Sequence, residues 1–226
     1  MNIALILSGG SGSRLGGDIP KQYQKVKERP ILSYCLDTFE KHTRIHAIQI
    51  VAGQEWEDSI RDWAGEKLKG FSRPGATRQL SIWNGLQDIL KYACNEDVVI
   101  IHDGARPLVS SRIIEDCLSA CETHDGALPV LPMKDTVYQG EGGRITSLLE
   151  RQKLYAGQAP EAFVLGSYVR ANQMLFPQDI LGVNGSTEPA IMAGLDIALV
   201  DGDESNFKIT TREDLLRFRQ MMEKKI

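Results

Sequence analysis

Five short apolar runs, separated by segments of helical pattern, constrain the fold of this chain most strongly. The runs are Ile3–Leu7, Ala47–Ala52, Val98–Ile101, Ala127–Leu131 and Ile197–Val200. Short, nearly continuous apolar strands are typical of a mainly parallel sheet that is covered on both faces. Since strand–helix alternation favours right-handed crossovers, the pattern predicts an α/β protein with three layers.

The segments between these runs carry apolar side chains at helical spacing. Pro30 suits the first turn of one helix, and Thr211 with Asp214 three residues later resembles a capping box. The predicted helices open at Pro30, cover Thr77–Cys94 and Ser111–Glu122, and follow Thr211 to end at Lys224 and Lys225. A chain of 226 residues, 42% of them hydrophobic, is long enough for one sizeable core. We therefore expect residues 1–226 to form a single domain.

Composition and charge argue against several classes of protein. The formal net charge is −4, which argues against a nucleic-acid partner. No apolar run approaches the roughly 20 residues of a membrane span, and the N-terminus lacks a signal-peptide pattern. The four cysteines show no CxxC spacing, so reduced cysteines are expected. These features predict a cytoplasmic chain without a membrane partner.

One polar segment, Lys134–Ala159, breaks the strand–helix alternation. It contains two β-prone pieces around Gly140–Gly143 and is predicted to form a hairpin. Because an isolated two-stranded arm is marginally stable in water, we expect this β-arm to project and to pack on a second copy of the chain. The alternative is a hairpin that folds back on its own domain.

The segment Ile3–Lys21 indicates a phosphate-binding loop after the first strand. The small residues from Ser8 to Ser13 allow backbone N–H groups to approach a polyphosphate, and Arg14 and Lys21 supply positive charge. The alternative interpretation is a glycine-rich turn followed by two solvated cations.

Two better-known phosphate loops do not fit this segment. Leu15 occupies the third glycine position of the dinucleotide fingerprint, and Pro20–Lys21 interrupts the helix that should follow. No Gly-Lys-Ser/Thr follows at the distance that a P-loop requires. An NAD-dependent oxidoreductase is therefore disfavoured.

A second candidate site follows the predicted strand Val98–Ile101. In open α/β sheets ligands bind beyond the carboxyl ends of strands, where Asp103 and Arg106 are expected to lie. A carboxylate at this position suits Mg²⁺, which prefers oxygen ligands and substrate phosphates. The alternative is an Asp–Arg pair that only braces the loop, and His102 is interpreted as structural.

Three other segments are ambiguous when taken alone. Gly75–Ser81 could contact a base or ribose or merely cap a helix, and Gly185–Ala190 contains Ser186 or Thr187 as a possible cap. Asn206–Thr211 places Lys208 in a short β-like run.

The order of these motifs resembles one family of cytidylyltransferases. The chain contains, in this order, GGSGSRLG, PKQY, GATRQLS, HDGARP, KDTV, ER, GQAPEAF, STEPA and NFKITTREDL. The set resembles 2-C-methyl-D-erythritol 4-phosphate cytidylyltransferases and the related ribitol-5-phosphate cytidylyltransferases. The resemblance implies a Rossmann-like nucleotide-diphosphosugar transferase fold, a homodimer joined through the β-arm, and Mg²⁺ or another divalent cation as cofactor.

The resemblance also implies roles for individual residues. It implies that Arg14, Lys21 and Lys208 are catalytic, near the reacting phosphates. The implied CTP-binding residues are Ser8, Gly9, Gly10, Ser11, Gly12, Ser13, Gly75, Arg78, Ser81 and Asp103. The implied acceptor-binding residues are Asp103, Arg106, Thr136, Arg151 and Thr187, with Thr136 and Arg151 contributed by the arm of a neighbouring subunit. Asp103 is the implied metal ligand.

The acceptor half of the pattern departs from the family. Where the family usually has Gln-Thr-Pro-Gln, Ala159 lacks a hydroxyl and Glu161 adds a charge. Glu188 and Pro189 follow Thr187 where Asp followed by an acidic residue is usual. The implied reaction transfers CMP from CTP to 2-C-methyl-D-erythritol 4-phosphate and releases pyrophosphate. Ribitol 5-phosphate is the alternative acceptor, and a nucleotide-binding module without catalysis is a further alternative.

Overall fold

A central eight-stranded sheet organises the computed structural model, which describes residues 1–10 and 19–224. The strands are β1 (Asn2–Leu7), β2 (Lys25–Val26), β3 (Arg29–Pro30), β4 (Ala47–Val51), β5 (Leu68–Ser72), β6 (Val98–Asp103), β7 (Gly126–Pro132), β8 (Tyr138–Glu141), β9 (Arg144–Leu148), β10 (Tyr155–Gly157), β11 (Glu161–Val164) and β12 (Ile197–Asp201). The order in the main sheet is β10-β7-β11-β6-β1-β4-β5, and β12 pairs with β7. The pairs β2–β3 and β8–β9 form two small separate sheets.

Most pairings in the main sheet are parallel. Strand β1 lies between β4 and β6 and is parallel to both, and β4–β5 and β7–β12 are also parallel. Strand β11 is antiparallel to β6 and β7, and β10 is antiparallel to β7. The predicted mainly parallel α/β sheet is confirmed, with an antiparallel strand inserted between β6 and β7.

Seven helices accompany these strands in the described ranges. They are α1 (Ile31–Lys41), α2 (Glu57–Arg61), α3 (Arg78–Ile89), α4 (Ser111–Ala120), α5 (Leu165–Gln173), α6 (Glu188–Met192) and α7 (Arg212–Lys224). Helix α3 is shorter than predicted: it ends at Ile89, and the residues up to Cys94, whose N–H donates to the Asp97 carboxylate, form turns and irregular structure. Within residues 1–10 and 19–224, no helix is long and apolar enough to cross a membrane.

The sheet is covered on both faces, as the apolar runs predict. Ala4 and Ile6 of β1 belong to a core shared with α1 and α4, whereas Ile3 and Leu5 belong to a core shared with α3, α5 and α6. Alternate side chains of a strand point to opposite faces, so a fully apolar strand can join both cores. This alternation produces the three layers.

The segment Lys134–Ala159 divides into two parts. Strands β8 and β9 form the hairpin predicted around Gly140–Gly143, and Gly142 and Gly143 take φ of +57° and +76°, which favours glycine. The C-terminal part differs from the prediction, because β10 pairs with β7 and Ala159 is buried. The projecting part is therefore the β8–β9 hairpin, and the chain returns to the main sheet at Tyr155.

Two strands of the main sheet, β5 and β11, were not predicted from the sequence. Strand β5 contains Lys69 and Gly70, and β11 begins with Glu161, so neither is an apolar run. Pairing within the sheet, with β4 for β5 and with β6 and β7 for β11, compensates for this weak local pattern.

Candidate active site

The carboxyl ends of β1 and β6 meet at one edge of the sheet. Leu7 is paired with Asp103, and the Gly104 N–H donates to the Leu7 carbonyl at 2.9 Å. This register places the loop that begins at Ser8 next to the Asp103 carboxylate. The two segments selected separately from the sequence therefore belong to one site.

The first part of the glycine-rich loop packs closely against its surroundings. A Cβ at Gly9 would lie 2.6 Å from Cγ of Pro74, so only glycine fits there without displacement. A Cβ at Gly10 would meet no atom within 4 Å. The buried Ser8 hydroxyl donates to the Tyr23 hydroxyl at 3.0 Å, so this side chain supports the loop from behind. The remaining predicted loop residues, Ser11, Gly12, Ser13 and Arg14, lie outside the described residues.

The N-terminus of α3 brings a second group of side chains to this edge. Thr77 caps the helix, its hydroxyl accepting from the Leu80 N–H at 3.1 Å. The Ser81 hydroxyl accepts from the Gly75 N–H at 2.9 Å and donates to the Thr77 carbonyl at 3.0 Å. These bonds close the Gly75–Ser81 turn and place Arg78 on the first turn of the helix. The predicted helix cap is therefore confirmed, and contact of this segment with a base or ribose stays a prediction.

Asp103 lies at the centre of three cations. Its Oδ1 accepts from Arg78 Nη2 at 3.2 Å, and its Oδ2 lies 3.1 Å from Lys208 Nζ and 3.4 Å from Arg106 Nε. Burial opposes ionisation of the carboxyl group, but Arg78, Lys208 and Arg106 outweigh it and hold the Asp103 pKa well below its ordinary value. Because three cations surround one carboxylate, the cluster has a net positive charge that favours binding of an anion.

The segment before α7 is held against the loop that follows β6. The Ile209 N–H donates to the Ala105 carbonyl at 2.9 Å, which places Lys208 beside Asp103. Arg106 Nη1 donates to the Asn206 carbonyl at 2.7 Å. Lys208 lies in an irregular segment and not in the β-like run that the sequence suggests.

These groups surround a cavity of about 470 Å³ at the carboxyl edge of the sheet. Its volume is typical of a small-molecule site. The predicted residues that line it are Gly9, Gly10, Lys21, Gly75, Arg78, Ser81, Asp103 and Lys208. Backbone of the glycine-rich loop and three cationic side chains face the same space, an arrangement suited to a polyphosphate.

The other predicted acceptor-binding residues do not line the cavity. Thr187 is buried and does not line the cavity, and its hydroxyl has no hydrogen-bond partner among the described residues. Its neighbour Ser186 accepts from Arg78 Nη1 at 2.8 Å. Thr136 is exposed, and Arg151 donates to the Lys134 carbonyl at 2.8 Å, both beside the β8–β9 hairpin and outside the cavity of their own chain.

The family model for 2-C-methyl-D-erythritol 4-phosphate cytidylyltransferase matches residues 2–224. The chain belongs to this cytidylyltransferase family. A ribitol-5-phosphate cytidylyltransferase from Lacticaseibacillus paracasei is 31% identical over 100% of this chain and 99% of its own length. The bifunctional enzyme IspD/IspF from Rhodospirillum rubrum is 36% identical over 96% of this chain, which spans only 56% of that relative.

A solved cytidylyltransferase structure has the same fold. The 2-C-methyl-D-erythritol 4-phosphate cytidylyltransferase (IspD) of Francisella tularensis superposes with a TM-score of 0.83 at 26% identity, covering 97% of this chain and 98% of that one. The fold of this cytidylyltransferase-family chain is therefore the one that the motif order implied.

Several residues of the site were not selected from the sequence. Gln22 and Thr210 line the cavity, and Ser186 holds Arg78. Gln22 stands inside the quoted PKQY motif, so a signal for it was present. Thr210 and Ser186 also stand inside quoted motifs, NFKITTREDL and STEPA, but their contacts with the cavity and with Arg78 depend on segments that are distant in sequence.

Glu161 is a second buried carboxyl group near this site of the cytidylyltransferase-family fold. It begins β11, where it pairs with Ile101, two residues before Asp103 on β6. Burial raises its pKa to about 7, although Arg78 lowers it. One of its carboxyl oxygens has no hydrogen-bond partner among the described residues.

Proposed function

We propose that this chain is a CTP-dependent cytidylyltransferase that transfers CMP to a sugar-alcohol phosphate and releases pyrophosphate. The observation that carries the proposal is the cavity at the carboxyl edge, where Lys21, Arg78 and Lys208 face the glycine-rich loop around Asp103. A triphosphate requires such backbone donors and cations. Membership of the family supports the same reaction.

The reaction needs charge stabilisation more than a strong base. An oxygen of the acceptor phosphate attacks the α-phosphorus of CTP, and the bond to the bridging oxygen of the β-phosphate breaks. Lys21 and Lys208 stabilise the charge that develops on the phosphate oxygens, and Arg14 is proposed to share this task. The second pKa of a phosphomonoester is about 6, so the acceptor is largely ionised at neutral pH.

A divalent cation, Mg²⁺, fits the donor chemistry of this site as a proposed cofactor. Mg²⁺ in nucleotide enzymes is typically bound by one or two carboxylates together with substrate phosphates and water. Asp103 supplies one carboxylate in the cavity. No group of three His, Cys, Asp or Glu residues in the described ranges could hold a metal alone. The metal would neutralise phosphate charge, and Asp103 would hold it together with the substrate.

We propose 2-C-methyl-D-erythritol 4-phosphate as the acceptor and ribitol 5-phosphate as the alternative. The matched family model and the Francisella relative name the first substrate. The Lacticaseibacillus relative, which the chain matches along its whole length, names the second. Ala159 and Glu161 depart from the family pattern, and a panel of polyol phosphates distinguishes the two acceptors.

The proposed active unit is a homodimer joined through the β8–β9 hairpin. All residues of both strands are exposed, including the apolar side chains of Tyr138, Ile145 and Leu148. A two-stranded sheet with exposed apolar side chains is poorly stable alone and is stabilised by a second subunit. Arg151 and Thr136 at the base of the arm would then reach the acceptor phosphate of the neighbouring site.

Pyrophosphate release with CTP, Mg²⁺ and a panel of polyol phosphates tests the proposal. We expect turnover with 2-C-methyl-D-erythritol 4-phosphate to exceed turnover with ribitol 5-phosphate. The opposite ranking would refute the acceptor and leave the reaction class intact. Binding of CTP without turnover of any polyol phosphate would instead favour a non-catalytic nucleotide-binding module.

A further inference from the structure

Gln22 connects the turn that carries Lys21 to the glycine-rich loop. Its side-chain Nε2 lies 2.8 Å from the Ser8 carbonyl oxygen and 2.8 Å from the Gly10 carbonyl oxygen. The residue is only 3% exposed, yet it lines the cavity. One amide group thus bridges two carbonyls at alternate positions of the loop.

The chemistry of the two acceptors fixes the orientation of this amide. Carbonyl oxygens only accept hydrogen bonds, and the amide nitrogen of glutamine has two hydrogens to donate. Both N–H groups of Gln22 are therefore used, one for each carbonyl. No other side chain of similar shape offers two neutral donors on one atom, and glutamate would place an oxygen against two oxygens.

This bridge determines which way the loop backbone faces. The peptide bond between Ser8 and Gly9 is trans, so its C=O and N–H point in opposite directions. Holding the Ser8 carbonyl towards Gln22 turns the Gly9 N–H away from Gln22. Backbone N–H groups that share a direction are what a phosphate-binding loop needs.

Tyr23 supports the same turn from the other side. Its hydroxyl donates to the Ser8 carbonyl at 2.9 Å, and its ring stacks on Trp56 with centroids 4.0 Å apart. Burial raises the Tyr23 pKa to about 12, so the hydroxyl remains a donor at neutral pH. Three consecutive residues thus act on one site. Lys21 supplies a cation, the Gln22 amide donates to two loop carbonyls, and Tyr23 donates to the Ser8 carbonyl while its ring packs on Trp56.

We propose that Gln22 is a positioning residue of the nucleotide site: its side-chain amide orients the glycine-rich loop towards the phosphates and fixes the loop relative to Lys21. The inference rests on the proposed function, since it assumes a nucleotide polyphosphate in the cavity. It predicts that substitution of Gln22 weakens binding of the β- and γ-phosphates far more than binding of the nucleoside.

The test compares the affinities of CTP, pyrophosphate and CMP by calorimetry in wild type, Gln22→Glu and Gln22→Met. Because two buried hydrogen bonds are lost and an oxygen faces two carbonyls, we expect Gln22→Glu to weaken CTP and pyrophosphate binding by about 100-fold. CMP should lose less than about fivefold, since it lacks the two outer phosphates. Gln22→Met, which adds no charge, should show a smaller loss with the same selectivity.

A matched control is available two residues along the chain. Gln24 donates from its side chain to the Ile19 carbonyl at 3.3 Å and is more exposed, so Gln24→Glu introduces the same charge on the same turn. We expect this variant to bind all three ligands as the wild type does. If Gln22→Glu is too unstable to purify, the ratio of CTP to CMP affinity in Gln22→Met decides.

The outcomes separate this inference from the proposed function. Equal losses for CTP, pyrophosphate and CMP would show a merely structural role and overturn the inference, and so would unchanged affinities. In both cases wild-type CTP binding would leave the proposed function standing. A wild-type protein that does not bind CTP would refute the proposed function and the positioning role together.

Discussion

Asp103 sets the electrostatic character of the cavity at the scale of single residues. Its side chain is 10% exposed and contacts Lys208, Arg78 and Arg106. A buried carboxylate is unfavourable alone, and these three cations are what keep it ionised. The carboxylate also reduces the repulsion between the three cations. Because three positive charges exceed one negative charge, the cavity attracts anions.

Replacing Lys21 by alanine should impair turnover without unfolding the protein. Lys21 lines the cavity, and the proposed reaction develops negative charge on phosphate oxygens. Loss of one cation of this kind costs about 100-fold or more in kcat. Steady-state pyrophosphate release measures the effect, with Lys25→Ala, an exposed lysine on β2, as the control. Near-normal turnover in Lys21→Ala would contradict the assigned role.

Glu161 should make a contribution to the stability of the fold that falls as the pH rises from about 5 to 8. Its pKa in the folded protein is about 7, compared with an ordinary value of 4.5. Between these values the folded state binds a proton that the unfolded state has lost, so raising the pH favours unfolding. The pKa difference corresponds to at most about 3 kcal/mol in the free energy of unfolding.

Glu161→Gln should remove this contribution to the pH dependence. Urea unfolding at several pH values measures it, and the variant should gain stability over the wild type as the pH rises. Glu66→Gln, at an exposed position, controls for the loss of one carboxyl group. A constant difference between Glu161→Gln and wild type across the range would contradict the prediction. Burial lowers the pKa of His102 to about 4, which makes stability rise with pH up to about 6.5, but this contribution is common to both proteins and cancels in their difference. Asp103 acts only below its ordinary pKa of 3.8.

At the scale of secondary-structure elements, the first turn of α3 links stability to the site. Thr77 caps the helix, and the next residue, Arg78, contacts Asp103 and Ser186. A frayed first turn would therefore displace a cation of the cavity. Helix α4 has an equivalent cap, since the Ser110 hydroxyl accepts from the Ile113 N–H, but it contributes no residue that lines the cavity.

This pair of caps provides a prediction with a built-in control. Thr77→Ala and Ser110→Ala should each lower the free energy of unfolding by about 1 kcal/mol. Only Thr77→Ala should also weaken CTP binding, because only α3 carries cavity residues at its start. Chemical denaturation and calorimetry measure the two quantities. A similar loss of CTP affinity in both variants would indicate a general effect of destabilisation.

At the scale of the whole molecule, the contacts within a single chain do not explain why the β8–β9 hairpin exposes apolar side chains. It pairs with no strand of the main sheet in the described structure, and Ile145 and Leu148 are 69% and 65% exposed. Apolar side chains on a projecting two-stranded arm are stabilised by burial against another surface.

Charged substitutions on the hairpin should dissociate the proposed homodimer. We expect Ile145→Asp with Leu148→Asp to shift the protein to monomer in analytical ultracentrifugation, because two carboxylates would be buried in the interface. The KM for the acceptor should rise while CTP affinity stays near normal. Leu181→Asp, at a position that is 55% exposed elsewhere, is the matched control. A double variant that remains dimeric would place the interface on another surface.

The local sequence pattern predicted those strands and helices whose burial is reflected in their own amino-acid composition. The apolar strands β1, β4 and β6 and the amphipathic helices α1 and α4 were recognised because burial on one or two faces dictates their composition. Strands β5 and β11 were missed because their own residues form no apolar run, and their place in the sheet depends on pairing with neighbouring strands. The same holds for the return of β10 to the main sheet.

The segment from Ser8 to Lys21 was predicted from the sequence to be a phosphate-binding loop, because small residues and two cations follow a buried strand, with a glycine-rich turn as the alternative. The sequence also determined the fold class and, through the order of its motifs, the family. Only the tertiary structure brought Arg78 and Lys208 to the Asp103 carboxylate and placed the Gln22 amide against the Ser8 and Gly10 carbonyls. Those contacts join residues that are up to 105 positions apart, and their geometry depends on strand register and helix packing, which no local pattern encodes.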